Sequence, residues 1–316
     1  MHDDIIALST QKTIDKELVG GKGWGLLQLS KLNLPIPPGF IITTPFFAKT
    51  RTQSEAQTQP ILAAYRQLGE RLKTPNPAVA VRSSANSEDG QQHSFAGAFD
   101  TFLWVQGEKQ LLEKINLCRE SLYSERAKVY RQEMEETTTA VPQMAVIVQA
   151  MIPAESSGVL MTLNPTSGDR SKIVIESNWG LGQLLVDGRI NPDRFLIDKI
   201  TNELIEETIA TKTIMLQASQ DSQGGTAVTD VPKHLQNAAS LTHQEVEKLC
   251  EYGRFLENHF GRPQDIEFAL SQGEIFLLQV RPETIWATKQ PPAHGLNANP
   301  VEHIVNVLTA FGKKSA

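Results

Sequence analysis

Two short alternating runs near residue 270 constrain the fold more than any other feature. Asp265-Ile266-Glu267-Phe268-Ala269 and Ile275 to Val280 are each of strand length, and Ser271-Gln272-Gly273-Glu274 between them is turn chemistry. Alternate residues of a strand share a face, so Asp265 and Glu267 point one way, and Gln279 and Arg281 likewise share a face. Ile266, Phe268, Phe276, Leu278 and Val280 supply the opposite, apolar face. A hairpin with one apolar face must lie on a core, and its polar face then meets solvent or a cleft. Carboxylate and amide oxygens suit a hard cation such as Mg²⁺, and a neighbouring arginine suits the phosphates that such a cation bridges. The same pattern also fits the plain outer face of a hairpin.

The rest of the chain alternates strand and helix signals. After Gly20-Gly21-Lys22-Gly23, the residues Trp24, Leu26, Leu27, Leu29 and Leu32 recur at helical spacing until Pro35, Pro37, Pro38 and Gly39 end the run. Phe40 to Thr43 reads as a short buried strand, and Thr44-Pro45 as the start of another helix. Residues 51–60 are polar and read as a connection. Val79-Ala80-Val81 is a strand entering Arg82-Ser83-Ser84, with Thr101 to Val105 returning along it. Residues 108–134 read as one helix. Strands follow at Met144–Ile152, Gly158–Leu163, Ile173–Glu176 and Phe195–Asp198, and 218–230 reads as a surface loop. Thr242 caps a helix running to Phe260, with Glu245 in the capping-box position. Residues 287–299 form a Pro/Ala/Asn-rich linker. A terminal helix over 300–316 carries Val301, Ile304, Val305, Leu308 and Phe311 on one stripe, which either packs back on its own domain or docks a partner. Several adjacent strands among helices predict a mixed α+β fold with largely antiparallel sheets.

Composition removes some function classes. Lys and Arg number 30 against 36 Asp and Glu, a net charge of −6, without the basic stripe that nucleic-acid binding needs. The longest uncharged stretch, Thr137 to Ala154, holds three Thr, two Gln and two Pro, which is unsuited to a membrane span. Met1-His2-Asp3-Asp4 lacks the positive start of a secretory signal. Cys118 and Cys250 stand far apart without further Cys or His spacing, so neither a disulfide framework nor a zinc site is expected, and a reducing cytoplasm is.

Two further groups suit phosphate. Glycines around Lys22 allow close backbone approach at a helix N-terminus, where the helix dipole favours an anion. The spacing is not that of the GxxxxGK[ST] loop, and a helix-cap turn with a solvated lysine fits equally well. Arg82 leaves a buried strand with a planar, permanent charge, and Ser94-Phe95-Ala96-Gly97 with Thr101 could fold over a phosphate. A surface ion pair beside a hairpin is the plainer alternative.

Taken in order, these pieces resemble the N-terminal nucleotide-binding domain of the phosphoenolpyruvate synthase and pyruvate phosphate dikinase family, as also found in rifampicin phosphotransferase and phenylphosphate synthase. The motifs that carry the resemblance are VGGKGWGLLQL with PIPPGFIIT (19–43), AVRSSANSED with SFAGAFDTFLWV (80–105), VIVQAMIPAESSGVLMTLNP (146–165), ESNWGLGQLLVDGRINPDRF (176–195), and QDIEFAL with IFLLQVRPET (264–284). The resemblance implies an ATP-grasp domain over residues 1–286, with ATP clamped between two subdomains. Lys22 and Arg82 match the family's phosphate-binding cations, and Gly97 and Thr101 its phosphate-loop positions. Gln149 and Met151 match the linker strand that meets adenine. Glu267 and Gln279 match the pair that binds Mg²⁺ and nucleotide, with Asp265 close by, and Arg281 matches the arginine on the triphosphate. Lys22, Arg82 and Arg281 are thus the implied catalytic cations, with ATP and Mg²⁺ as cofactors.

The implied reaction passes the β-phosphoryl group of ATP to a histidine on a swivelling domain, leaving AMP and phosphate. The sequence departs from the family twice. Gln183 stands where relatives often carry Glu, and no GGxTSHA-type motif occurs, since no histidine follows Gly224-Gly225-Thr226-Ala227. The expectation is therefore an ATP-binding module whose histidine lies on a separate partner protein or domain. A fragment of a longer enzyme of this type, and a nucleotide-sensing module without transfer, are the alternatives.

Overall fold

A computed structural model describes residues 4–48, 55–86, 100–122, 143–221 and 224–286, and within these the chain builds two antiparallel sheets and a small hairpin. The first lobe holds β1 (Ile5–Ala7), α1 (Lys16–Lys31), β2 (Gly39–Ile42), α2 (Thr44–Ala48), α3 (Glu55–Arg71), β3 (Val79–Ala85), β4 (Thr101–Val105), α4 (Glu108–Ser121) and β5 (Met144–Ala150). Its sheet order is β1-β2-β5-β3-β4. Every residue of β5 is buried, as an apolar run in a central strand requires. The second lobe holds β6 (Ser156–Met161), β7 (Lys172–Trp179), α5 (Gln183–Val186), β8 (Asp193–Asp198), β9 (Leu204–Thr208), the hairpin β10 (Ile214–Ala218) with β11 (Thr226–Asp230), α6 (His243–Phe260), β12 (Gln264–Ser271) and β13 (Glu274–Pro282). Its six-stranded sheet runs β13-β12-β6-β7-β8-β9.

One core joins the lobes. Leu26, Leu27 and Leu29 of α1 share it with Ile41 and Ile147 of the first sheet and with Leu160, Ile175, Phe195, Leu277 and Val280 of the second. Leu249 and Leu256 of α6 complete it, each fully buried and each contributing about 1.5–3 kcal/mol over its exposed state. Thr242 caps α6 in a full capping box with Glu245, as expected. Between the lobes the chain crosses in residues 151–155, directly after β5.

Several expectations need correction. The polar segment 51–60 is not wholly a connection, because α3 begins at Glu55 and continues through Pro60. The segment 218–230 is not simply a loop: β10 pairs with β11 from Ile214↔Asp230 to Ala218↔Thr226, Val228 being the large exposed residue of a thin ribbon. Polar, alternating ribbon sequence looks like loop because it has only one side to bury. The helix expected over 108–134 is described as far as Ser121, and the linker 287–299, the helix 300–316 and the Ser94–Gly97 turn lie outside the described residues.

The β12–β13 hairpin forms with a two-residue turn at Gln272 and Gly273 (φ 53° and 75°). Its register places Asp265 opposite Arg281 and Glu267 opposite Gln279. A β-bulge after Glu267 then breaks the alternation: Phe268 pairs with Leu277, leaving Leu278 as the extra residue. Leu277 and Ile275 therefore turn into the core, while Phe276 and Leu278, expected there, are only half-buried.

Candidate functional site

A kink places the first cation. Helix α1 is interrupted at Gly20, where φ is 70° and ψ 176°. A Cβ at that position would lie 2.2 Å from the Ser84 carbonyl oxygen, so only glycine fits. Ser84 fills the kink: its hydroxyl donates to the Val19 carbonyl (2.7 Å) and accepts from the Gly23 N–H (3.0 Å). The helix expected to begin at the glycines thus begins earlier, at Lys16, and restarts beyond Gly20. Lys22 Nζ donates to the Ser83 carbonyl at 3.2 Å, tying helix and strand β3 at the head of a cleft.

That cleft lies between the sheets, with a volume of about 560 Å³, within the range of small-molecule sites. Lys22, Arg82, Thr101, Gln149, Met151, Glu267, Gln279 and Arg281 all line it. Asp265 does not; its Oδ2 accepts two bonds from Arg281, at 2.8 and 2.6 Å, so it holds the arginine and does not face the cleft. Burial pushes the Asp265 carboxyl above its ordinary range, against the pull of Arg281. Gly97 lies outside the described residues.

Arg82 spans the cleft. It stands on β3 of the first lobe, yet among the described residues its guanidinium binds only the second: Nη1 donates to the Leu278 carbonyl (2.9 Å), and Nη2 to Glu267 Oε2 (2.9 Å) and Gln279 Oε1 (2.7 Å). The bulge presents the Leu278 carbonyl. Arg82 Nε is buried with no partner among the described residues, leaving one donor unspent in the cleft. Two oxygens sharing one guanidinium nitrogen mark a point where a small cation also fits. The described residues hold no cluster of three His, Cys, Asp or Glu side chains. One carboxylate with one amide matches a magnesium ion that takes its remaining ligands from phosphates and water.

The other end is apolar. Leu181 and Leu184 with Leu216 are buried there, and Leu103, Trp104, Met151 and Ala154 pack against them. Trp104 takes the left-handed conformation (φ 57°), unusual for so large a side chain, and its carbonyl accepts from the Gly225 N–H at the β10–β11 tip (3.0 Å). Gln149 is buried at the cleft wall, its Nε2 3.5 Å from the Pro37 carbonyl. Met151 N–H donates to the Ala78 carbonyl (2.9 Å), so the linker strand is held to the first lobe as it enters the cleft.

Sequence reasoning missed Asp100, Leu103, Leu181, Leu185 and Asp187, all of which line the cleft. A four-residue helix such as α5 is shorter than any window that periodicity can read. Gln183, noted only as a departure, also lines the cleft and donates to Asp187 Oδ1 at 2.8 Å.

Two antiparallel lobes with a cation-headed, apolar-ended cleft between them are the architecture expected of an ATP-grasp domain. The chain belongs to the family described as pyruvate phosphate dikinase, AMP/ATP-binding domain, whose model matches residues 49–298. It is 35% identical to a phosphoenolpyruvate synthase of Aeropyrum pernix, over 87% of this chain and 42% of that protein. It is also 35% identical to the prodigiosin synthesizing transferase PigC of Serratia marcescens, over 94% of this chain and 35% of that protein. A more distant likeness is to the solved D-alanine-D-alanine ligase of Helicobacter pylori: 11% identity, 81% of this chain, 51% of that chain, TM-score 0.35. The chain spans less than half the length of the curated relatives it matches. Among the described residues no helix is long and apolar enough to cross a membrane.

Proposed function

We propose that this chain binds MgATP and transfers its β-phosphoryl group to a histidine outside the residues described, on a partner protein or another domain, with water taking the γ-phosphoryl group, so that AMP and phosphate are left. The observation that carries the reading is the convergence of Arg82 from one lobe with Glu267 and Gln279 from the other at the polar end of a cleft whose far end is apolar. Met151, Leu103 and Leu181 offer flat apolar surface to a base. Lys22, Arg82 and Arg281 offer charge to the phosphates, with Thr101 beside them. Magnesium bound with the nucleotide neutralises charge on the phosphoryl oxygens. Glu267 and Gln279 would hold it.

In this reading Arg82 exchanges partners. Its guanidinium lies on the Glu267 carboxylate and the Gln279 amide; those oxygens would hold the magnesium of MgATP, leaving Arg82 to bind phosphate. The cations act by position, opposing charge that develops on the transferring group. Asp265 keeps Arg281 extended toward the same end through its two-bond contact.

The test is incubation with radiolabelled ATP and Mg²⁺, with and without a histidine-bearing domain from a dikinase-type enzyme. AMP, phosphate and an acid-labile phosphohistidine on that domain are expected. ADP as product would overturn the dikinase part, and no measurable nucleotide binding would overturn the whole.

A further inference from the structure

Among the described residues that line the cleft, one carboxylate at the polar end is left without a task. Asp100 precedes β4 and is fixed through its backbone: its carbonyl accepts from the Ser83 N–H (3.3 Å) and from the Ser83 hydroxyl (2.9 Å). Lys22 donates to the carbonyl of the same Ser83, and the next residue, Thr101, pairs with Arg82 across the sheet. Asp100 therefore stands among the candidate phosphate-binding groups of the first lobe, whereas Glu267 and Gln279 belong to the second. It is exposed, and its carboxylate has no hydrogen bond or ion pair among the described residues. The other carboxylates of the lining are engaged: Glu267 by Arg82, and Asp187, next to the apolar wall, by Gln183.

A carboxylate in this place repels phosphate. The described residues also hold no cluster of three His, Cys, Asp or Glu side chains that would enlist it for a metal. What it accepts well is a proton from water. With a base against the apolar wall and the phosphates running toward Lys22 and Arg82, the γ-phosphoryl group is the part that reaches the end where Asp100 stands. We infer that Asp100 is the general base for the water that takes the γ-phosphoryl group, an inference that rests on the MgATP reading above. ADP is not a product in that reading, so attack by the histidine on the β-phosphorus comes first, expelling AMP and carrying the γ group along as a β–γ anhydride. The water oxygen then bonds to the γ-phosphorus, and the bond from that phosphorus to the bridging oxygen breaks. The bridging oxygen stays with the β-phosphoryl group, and the water's proton passes to the Asp100 carboxylate. Inorganic phosphate leaves, and the histidine keeps one phosphoryl group.

Single-turnover incubation of the chain with Mg²⁺, ATP labelled at the α- or the γ-phosphorus, and a histidine-bearing domain from a dikinase-type enzyme tests the assignment. Asp100→Asn and Asp100→Ala remove the proton acceptor and keep the carbonyl bonds to Ser83, so both should melt with the parent and bind MgATP as it does. AMP should form at the parental rate. Release of labelled phosphate should slow about 100-fold, the lower end of what a positioned base contributes, while γ-label accumulates on the histidine-bearing domain. A general loss of packing or of nucleotide affinity would not split the two products in this way. AMP and phosphate slowing together, or phosphate release within about threefold of the parent, would overturn the assignment and leave the MgATP reading standing. Absence of nucleotide binding by the parent, or ADP as its product, would sink that reading and this assignment with it.

Discussion

Replacing Arg82 with alanine should weaken the empty protein and the nucleotide complex, yet improve binding of free Mg²⁺. The guanidinium makes three bonds to the second lobe, two of them to Glu267 and Gln279, and its side chain is 11% exposed against 25% for Glu267. Breaking a fully buried pair costs ~3–5 kcal/mol because the survivor is left charged and dry. Water reaches Glu267 in part, so ~2–3 kcal/mol is the appropriate scale here. At about 2.1 cal/mol/K of unfolding entropy per residue, that is a drop of roughly 4 °C in Tm. For MgATP, the loss of one charge-assisted phosphate contact is offset by Arg82 no longer having to leave its partners, giving roughly 10- to 100-fold weaker binding. Free Mg²⁺ meets the opposite change, since the cation that competes for Glu267 and Gln279 is gone. Calorimetric titration with MgCl₂ alone and with MgATP, alongside thermal melts, reads all three effects. If the variant melts with the parent and free Mg²⁺ binds no better, Arg82 does not latch the lobes and the partner exchange argued above is wrong.

Three other outcomes are expected. Burial pushes both Cys118 and Cys250 up to about 12, so neither thiol should react with iodoacetamide at pH 8 in the folded protein, and both should react in denaturant; rapid native labelling by mass spectrometry would refute the burial argument. Lys212→Met should cost ~3–5 kcal/mol in a denaturant titration, because Lys212 and Asp193 are wholly buried and the substitution leaves Asp193 without its cation. Burial raises the Glu176 carboxyl above its ordinary range despite Arg194; a group that holds its proton more tightly when folded contributes stability below that range and loses it as pH rises through it. Glu176→Gln should therefore gain stability relative to the parent between about pH 4 and pH 7, and a relative loss over that interval would reverse the sign of the reasoning.

The β12–β13 hairpin was legible because alternation, turn chemistry and polar pairing all fall within twenty residues. The capping box of α6 was legible for the same reason: both halves of the interaction lie three residues apart. What escaped was whatever depends on two distant segments meeting. Nothing in the local sequence says that Ser84 plugs the kink at Gly20, although that contact across more than sixty residues decides where Lys22 stands. The bulge after Glu267 was equally hidden, since it changes which apolar residues face inward without changing their composition. Asp265 illustrates the limit of face arguments: it shares a face with Glu267, as alternation requires, but the arginine opposite engages it with two bonds to one carboxylate oxygen.

The distribution of charge explains how a chain of net charge −6 can offer a polyanion a site. Each candidate cation is held by a partner that the fold supplies: Lys22 by a carbonyl, Arg82 by the opposite lobe, Arg281 by Asp265. Arg82 and Arg281 are each paired with a carboxylate, so the two arginines add little net field at the polar end unless a ligand takes them from their partners. On the proposed function, a site built this way would be selective for the complex over its parts. Free Mg²⁺ would have to displace a guanidinium from Glu267, and free ATP would have to pull Arg82 from its carboxylate without giving that carboxylate another cation. MgATP would satisfy both exchanges at once, so the nucleotide and the metal should bind this chain cooperatively, and removing Arg82 should make them independent.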